Sequence, residues 1–350
     1  MDIKYTPKYE RSAELVGHLA GASALLETIK SLNRGDIWVP RARRDALARH
    51  AHYSSRIEGN PLTLPEVEAL VEGKEIRAEG NARREILNFL AAMRWIWKKG
   101  IRKGVAEKSL LEVHGILTKG LIPQSESGHY KTVQNAVYKG RAVIYRPPPP
   151  EAAPFLTRAL LAWINSREAA KEHPVVVAGV AHHRLVSIHP VLDGNGRLAR
   201  LLEAWILYER DFDTDHIFAL PEFYEADRDR YYREIQQVRD HGDELTSWLE
   251  FVGEGVVETL DKTKRRVDSR EYSGKATPIR LNKSQKAILN MLAAGKPVSG
   301  PELCGHLGIS RSLLSRWLKP MLQAKLVVKE GSTKAAIYRL PAGKGTGSSR

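Results

Sequence analysis

Apolar residues along this chain recur at three- and four-residue spacings far more often than they alternate, which predicts a mainly helical protein. Between residues 82 and 97, Ile86, Leu87, Phe89, Leu90, Met93 and Ile96 fall on one stripe, as expected of a helix packed against a core. Comparable stripes predict helices over residues 109–117, 152–164, 175–188, 198–208, 228–238 and 244–260. Strand signals here are confined to residues 133–145, where two short β-prone runs flank Lys139-Gly140; a hairpin is expected there, before the proline run 147–150. A second pattern follows residue 282: helices over 283–294, 301–307 and 310–325, then β-prone runs over 326–329 and 335–340. Three helices closed by a hairpin predict a winged helix-turn-helix.

Charge divides the chain in the same way. Its 350 residues carry 55 Lys+Arg and 41 Asp+Glu, a net +14. Residues 1–260 hold 36 of each sign, and residues 261–350 hold 19 basic against 5 acidic, so the whole excess lies in the last ninety. A neutral body joined to a basic module is expected, with nucleic acid as the natural partner of the module. The expected units are a helical N-terminal region (1–80), a core (81–262), a linker (263–282), the winged module (283–341) and a disordered tail (342–350). The single cysteine, Cys304, leaves no intrachain disulfide and no CxxC zinc pair. The chain starts without a signal-like apolar run and has no stretch of about 18 uncharged apolar residues, so a cytoplasmic protein without membrane contact is expected.

The chemistry concentrates in residues 189–200, HPVLDGNGRLAR. An apolar helix ends at His189-Pro190, Gly194-Asn195-Gly196 makes a tight turn, and a new helix starts near Arg197. Glycines ahead of a helix N-terminus let backbone N–H groups converge on an anion, where the helix dipole adds its attraction. Arg197 and Arg200, three apart, share a helix face and fit a polyphosphate. Asp193 is an oxygen ligand suited to Mg²⁺ on a nucleotide, and His189 is a general base near a transferred phosphoryl group. Together these groups describe nucleotidyl transfer. A transition-metal cluster of His182, His183, His189 and Asp193 is disfavoured, because His182 and His183 leave different sides of their helix.

This segment resembles the signature of the Fic family, HPF-x-(D/E)-GN-(G/K)-R-xx-R, with Val191 in place of the usual packing Phe. Upstream, Ser54-Ser55-Arg56-Ile57-Glu58-Gly59, followed by Asn60-Pro61-Leu62-Thr63-Leu64, is similar to the family's inhibitory motif in its N-terminal placement. Residues 128–135, GHYKTVQN, resemble its flap segment, with Lys131 where Arg is expected, and Tyr231-Tyr232 and Gly242-Asp243 match its nucleotide-side helices. Fic proteins with a C-terminal winged helix are a known arrangement. The resemblance implies a helical Fic fold with a β-hairpin flap and a protein adenylyltransferase using ATP and Mg²⁺. His189 would deprotonate a Ser, Thr or Tyr hydroxyl of a protein target, self included. Asp193 would hold Mg²⁺; Gly194, Asn195, Gly196, Arg197, Leu198 and Ala199 would line the phosphates; Arg200 would fix the γ-phosphate. Tyr231 and Tyr232 would border the adenosine, unless they are core aromatics. Asn135, Ala136 and Val137 of the flap would clamp the target by strand addition. Glu58, with Ser54 and Gly59, would restrain the enzyme by occupying Arg200. Removal of AMP from the target and a homodimer are further implications.

In the basic module, Leu313, Leu314, Trp317, Leu318 and Met321 mark the buried side of the third helix, and Pro320 interrupts its hydrogen bonding. Arg311, Ser312, Ser315, Arg316 and Lys319 line the other side, as in a recognition helix for DNA. The competing functional expectation is a DNA-binding regulator whose Fic body senses ATP without turnover. An intact His189 and Asp193 favour the enzyme.

Overall fold

The computed structural model describes residues 4–32, 39–78, 80–99, 104–213, 215–268, 281–293, 297–323, 326–331 and 336–341. The body runs α1 (Ala13–Leu32), α2 (Val39–Ile57), α3 (Leu64–Val71), α4 (Ala82–Lys99) and α5 (Glu107–Thr118), then the hairpin β1 (Val137–Lys139) and β2 (Ala142–Tyr145). It continues through α6 (Ala153–Ile164), α7 (Pro174–Ile188), α8 (Asn195–Glu209), α9 (Pro221–Ala226), α10 (Arg228–Asp240) and α11 (Thr246–Asp268). Every helix expected in the body from residue 82 onward forms, within three residues of its sequence-based bounds except for α11, which runs eight residues past 260.

Two helices make the centre. Helix α7 is apolar on all sides, burying Val175, Val176, Val177, Ala178, Val180 and Ala181, and a helix of that kind belongs in the middle of a bundle. It packs along α8, whose Leu198, Ala199, Leu201, Leu202, Trp205 and Ile206 are also buried. Helix α11 approaches α7 closely because Gly179 offers no side chain; a Cβ there would lie 2.9 Å from Leu249 Cδ2. Helix α1 lies along α11, and α2 lies against α9, α3 and α4. The hairpin pairs Tyr138 with Val143 and Lys139 with Ala142, with a bulge beside Val137. Its root is tied down where Tyr145 donates from its hydroxyl to Ser187 O at the end of α7 (2.8 Å).

Beyond the body, α12 (Lys283–Ala293), β3 (Val298–Ser299), α13 (Gly300–Leu307), α14 (Arg311–Gln323), β4 (Val328–Glu330) and β5 (Ile337–Arg339) close around a separate core. That core contains Ile288, Leu289, Leu292, Leu303, Leu314, Leu318 and Met321. The sheet is antiparallel in the order β3-β5-β4, so β3 adds a strand to the two expected. Gly308, at φ +64°, ends α13 in the left-handed conformation and turns the chain into α14. This unit contacts the body on α2: Arg43 Nη1 donates to Asn290 Oδ1 (3.2 Å) and Arg44 Nη2 to Pro341 O (3.0 Å). Helix α11 runs on into the expected linker. Residues 269–280 of that linker, and the expected tail 342–350, lie outside the described residues. No helix among the described residues is long and apolar enough to cross a membrane.

A tight approach of the same kind gives a stability test. A Cβ at Gly255 of α11 would overlap the Phe223 ring, which is enclosed and cannot yield as a flexible chain end would. Gly255→Ala is expected to cost about 1–3 kcal/mol by overpacking, read as a lowered midpoint in thermal or urea unfolding. An unchanged or raised midpoint would contradict this packing.

Candidate active site

The site forms at the junction of α7 and α8. Helix α7 ends at His189, which takes the left-handed backbone conformation (φ 51°, ψ 57°) that a non-glycine residue rarely adopts. Its Nδ1 sits 3.2 Å from Val186 O, so Nδ1–H donates to that carbonyl and Nε2 keeps its lone pair for the cleft. Burial pushes the His189 imidazole down to about 4, with Arg239 and Lys131 acting in the same direction. It is therefore uncharged at neutral pH and able to accept a proton.

The loop after His189 is held by side chains, not by its own apolar packing alone. Asn195 receives the Val191 N–H on Oδ1 (3.1 Å) and donates from Nδ2 to Val191 O (2.8 Å), while Asn135 of the flap donates to the same carbonyl (3.0 Å). Val191 is fully buried, so the smaller residue still anchors the loop. Gly194 stands at φ +82°, and a Cβ there would meet Thr118. Helix α8 then begins, its first ladder bond running from Leu198 N–H to Gly194 O. The N–H groups of Asn195, Gly196 and Arg197 precede that first donor, and such orphan donors form an anion site. Arg197 strengthens it. Its side chain is buried, with Nε and Nη1 lacking any hydrogen-bond acceptor, although Nη2 approaches Asp193 Oδ2 (3.4 Å) and Nη1 lies 3.8 Å from Glu85. A buried guanidinium with unpaired donors carries a desolvation cost that a bound anion removes.

Arg200 is 1% exposed and fully engaged. Nε donates to Ser54 Oγ (2.8 Å), Nη2 to Ser54 O (2.8 Å) and to Glu58 Oε1 (2.6 Å), and Nη1 to the Tyr231 hydroxyl (3.2 Å). Burial opposes the charge of Arg200, but Tyr231 and Glu58 outweigh it and hold the guanidinium ionised. Glu58 follows the last turn of α2, with Gly59 at φ +93° reversing the chain. Burial pushes the Glu58 carboxyl up, and the charge and hydrogen bond of Arg200 more than offset this, leaving it below the ordinary carboxylate range. The carboxylate lies directly over Gly196, where a Cβ would collide with Glu58 Oε1. The protein's own carboxylate thus occupies the anion site at the start of α8.

Other expected residues divide by position. The Asp193 side chain is 58% exposed at the mouth of the site and accepts the Gly194 N–H on Oδ1 (2.6 Å). Leu198 and Ala199 point into the core, so their contribution to a ligand is limited to backbone. Of the two readings left open for Tyr231, its position favours the core aromatic: it is fully buried, stacked on Tyr224 at 4.8 Å, and meets Arg200 through its hydroxyl. Tyr232 differs from it, being 38% exposed with Arg228 over its ring. In the flap, Asn135, Ala136 and Val137 are half-buried, while Tyr138 projects outward. Arg311, Ser312, Ser315, Arg316 and Lys319 are all exposed along one side of α14.

Two supporting groups were not identifiable as such from sequence. His114 accepts the Gly128 N–H on Nδ1 (3.0 Å) and donates from Nε2 to Asp193 O (3.1 Å), joining α5, the flap segment and the loop. The only sign was a histidine on the buried stripe of α5, beside Leu110, Val113 and Leu117. Lys131 is buried, pushed down to about 8 by desolvation, and donates to Asn135 Oδ1 and Pro148 O (both 2.8 Å). The two acceptors belong to the two ends of the flap, so an ammonium serves where a planar guanidinium was expected.

The His189 geometry is testable in the unliganded protein. Its ring nitrogens, followed by NMR against pH, are expected to titrate with a midpoint near 4. A midpoint near the ordinary histidine value of about 6.5 would contradict the enclosed, Nδ1-bonded imidazole.

The comparisons with known proteins agree with this geometry. Residues 105–207 match the Fic/DOC family. Proteins described as protein adenylyltransferase Fic from Aedes aegypti and Drosophila willistoni are each 30% identical, over 262 and 264 residues. These stretches cover 72% and 74% of this chain but 50% and 49% of those proteins, so the chain spans about half the length of the curated relatives it matches. A solved Fic family protein from Desulfovibrio desulfuricans G20 superposes with a TM-score of 0.68 at 25% identity, covering 98% of this chain and all of that one. C. elegans Fic-1 (residues 134–508) shares the fold at a TM-score of 0.62 and 23% identity, over 73% of this chain and 74% of that one. The helix pair that builds the loop and its anion site falls inside the matched segment, so this chain carries a Fic/DOC family domain over residues 105–207.

Proposed function

We propose that the protein is a Fic-type protein adenylyltransferase restrained by its own Glu58. The observation that carries this reading is the carboxylate over Gly196. Lying over the first turn of α8, it meets Arg200 of the second turn at 2.6 Å, beside a histidine whose Nδ1 is held by Val186 O. A site that pairs a buried arginine with an internal anion suits an external one, and a triphosphate matches two arginines beside three orphan N–H groups.

In the reaction, a protein hydroxyl attacks the α-phosphorus of ATP. A new O–P bond forms, the bond to the bridging α–β oxygen breaks, and pyrophosphate leaves. His189 Nε2 takes the hydroxyl proton. It starts uncharged because burial disfavours the imidazolium, and the incoming phosphates make that cation less costly as the proton transfers. Arg197 meets the phosphates at the helix start. Arg200 holds the γ-phosphate once Glu58 has given way. Asp193 fits Mg²⁺ as a single protein ligand, because its carboxylate is exposed beside the anion site and phosphate oxygens and water complete such a shell. When bound, the ion would neutralise charge building on the phosphates. The hairpin supplies a docking edge: Tyr138 is exposed, Val143 and Ile144 are partly so, and strand addition uses backbone groups that any extended target segment has.

The reading is tested by incubation with α-³²P-ATP and Mg²⁺. Glu58→Gly is expected to raise labelling of the protein itself by about tenfold or more, the range of a switchable coupling. His189→Ala in the same background is expected to lower it by about 10²-fold or more. Equal labelling of the three proteins would defeat the assignment. Restraint should also persist on mild acidification. Glu58 titrates below the ordinary carboxylate range, so its ion pair with Arg200 is intact above that range and is lost only as pH falls through the depressed value. Wild-type labelling at pH 5.5 rising to the Glu58→Gly level would contradict this.

We further propose that residues 283–341 form a winged helix-turn-helix that contacts duplex DNA. The exposed basic side of α14, the N-capping Ser310 ahead of it, and the antiparallel β4–β5 pair beside it support this reading. DNA retardation should weaken steeply with salt. Arg311→Ala and Arg316→Ala are each expected to reduce the slope of log affinity against log salt by about 1. Retardation insensitive to salt or to both substitutions would leave the helix without a DNA role.

A further inference from the structure

Behind Arg200, on the side away from Glu58, the core holds polar groups that no step of the proposed reaction uses. The Tyr231 hydroxyl, which accepts from Arg200 Nη1, lies 2.9 Å from His182 Nε2. His182 Nδ1 lies 3.1 Å from Glu203 Oε2, and Glu203 Oε1 accepts the Tyr224 hydroxyl at 2.8 Å. His182, Glu203, Tyr224 and Tyr231 come from α7, α8, α9 and α10, and none is more than 1% exposed. Glu203 Oε1 accepts the Tyr224 hydroxyl, and Oε2 stands as a counter-charge 3.1 Å from His182 Nδ1, off the line of a hydrogen bond. His182 Nε2 receives the Tyr231 hydroxyl proton. The polar groups therefore run from a guanidinium at one end to a carboxylate at the other.

A purely packing role does not account for such a chain, because well-packed apolar residues of similar volume are commonly as stable as a buried ionic network. The contacts of Arg200 show what it does. Of its four hydrogen bonds, three go to Ser54 and Glu58 on the inhibitory segment; the fourth, to Tyr231, comes from the catalytic core. Displacement of Glu58 by a nucleotide removes the charged partner, and any shift of α2 removes Ser54 as well. Tyr231 is then the support that stays.

We infer that Glu203 and His182, acting through Tyr231, are positioning residues that keep Arg200 aimed at the γ-phosphate when the inhibitory contact is released. Glu203 lies one helical turn beyond Arg200 on α8 and supplies a fixed counter-charge that does not leave with α2. The inference rests on the proposed reading of Arg200 as the γ-phosphate ligand.

The test compares dissociation constants for ATP and ADP, which differ by the γ-phosphate alone, in the full-length Glu58→Gly protein. Arg200→Ala, Glu203→Gln, His182→Gln and Tyr231→Phe are added one at a time. ATP binding is expected to weaken by about tenfold in Glu203→Gln and Tyr231→Phe, the effect of misplacing one charged hydrogen-bond donor. ADP binding should change much less. Parallel losses for both nucleotides would reduce the chain to a structural role and overturn the inference, as would no change in either. If Glu203→Gln or His182→Gln fails to fold by circular dichroism, Tyr231→Phe, which keeps the ring and removes the hydroxyl, decides the question. Arg200→Ala separates the two levels. Loss of ATP preference there without loss in Tyr231→Phe sinks the positioning chain alone, and retained preference in Arg200→Ala sinks the γ-phosphate reading beneath it.

Discussion

A guanidinium removed from water needs a partner, and Arg200 is as enclosed as any apolar residue around it. Much of the site follows from that need. Arg200 sits on the second turn of α8, close above the orphan N–H groups of the first turn, so its counter-charge also meets the positive end of the helix. That counter-charge is Glu58, delivered just past the end of α2, where Gly59 turns the chain away. The contact joins residues 142 apart in sequence and links the N-terminal region to α8.

The rest of the site is braced around that charge. Asn195 uses its side chain on Val191, and its backbone N–H remains for a ligand. His114 and Lys131 spend buried donors on carbonyls of the loop and flap instead of on substrate. Such bonds are worth more inside the protein than in water, and leaving any one of them unmade is costly. The loop geometry is thereby over-determined, which is what allows His189 to stay in its strained backbone conformation.

The same helix that delivers Glu58 just past its end carries, near its start, Arg43 and Arg44, on which the basic module rests. Helix α2 buries only Val39, Leu47 and Ile57 among larger aliphatic residues. It packs through Ala42, Ala46, Ala48 and Ala51, whose small side chains bring its backbone close to its neighbours. This also explains why its place in the fold was hard to read. An apolar stripe of leucine and isoleucine announces a buried helix, as in α4, but a stripe of alanine among arginines and histidines does not.

The sequence by itself determined the helical class, the bounds of most body helices, the charge division between body and module, and the twelve-residue segment that builds the anion site. These are local properties: periodicity, turn chemistry and residue spacing act over a few residues and leave a mark that can be read without a fold. It also marked Glu58 as a partner of Arg200, through a motif and not through geometry. Tertiary structure alone decided that Tyr231 faces the core, that His182 and Glu203 stand in line behind Arg200, and that His114 and Lys131 brace the loop and flap. Each of those facts depends on helices far apart in the chain being brought together. A buried polar residue acquires its role from the group placed opposite it, and that group is fixed by packing.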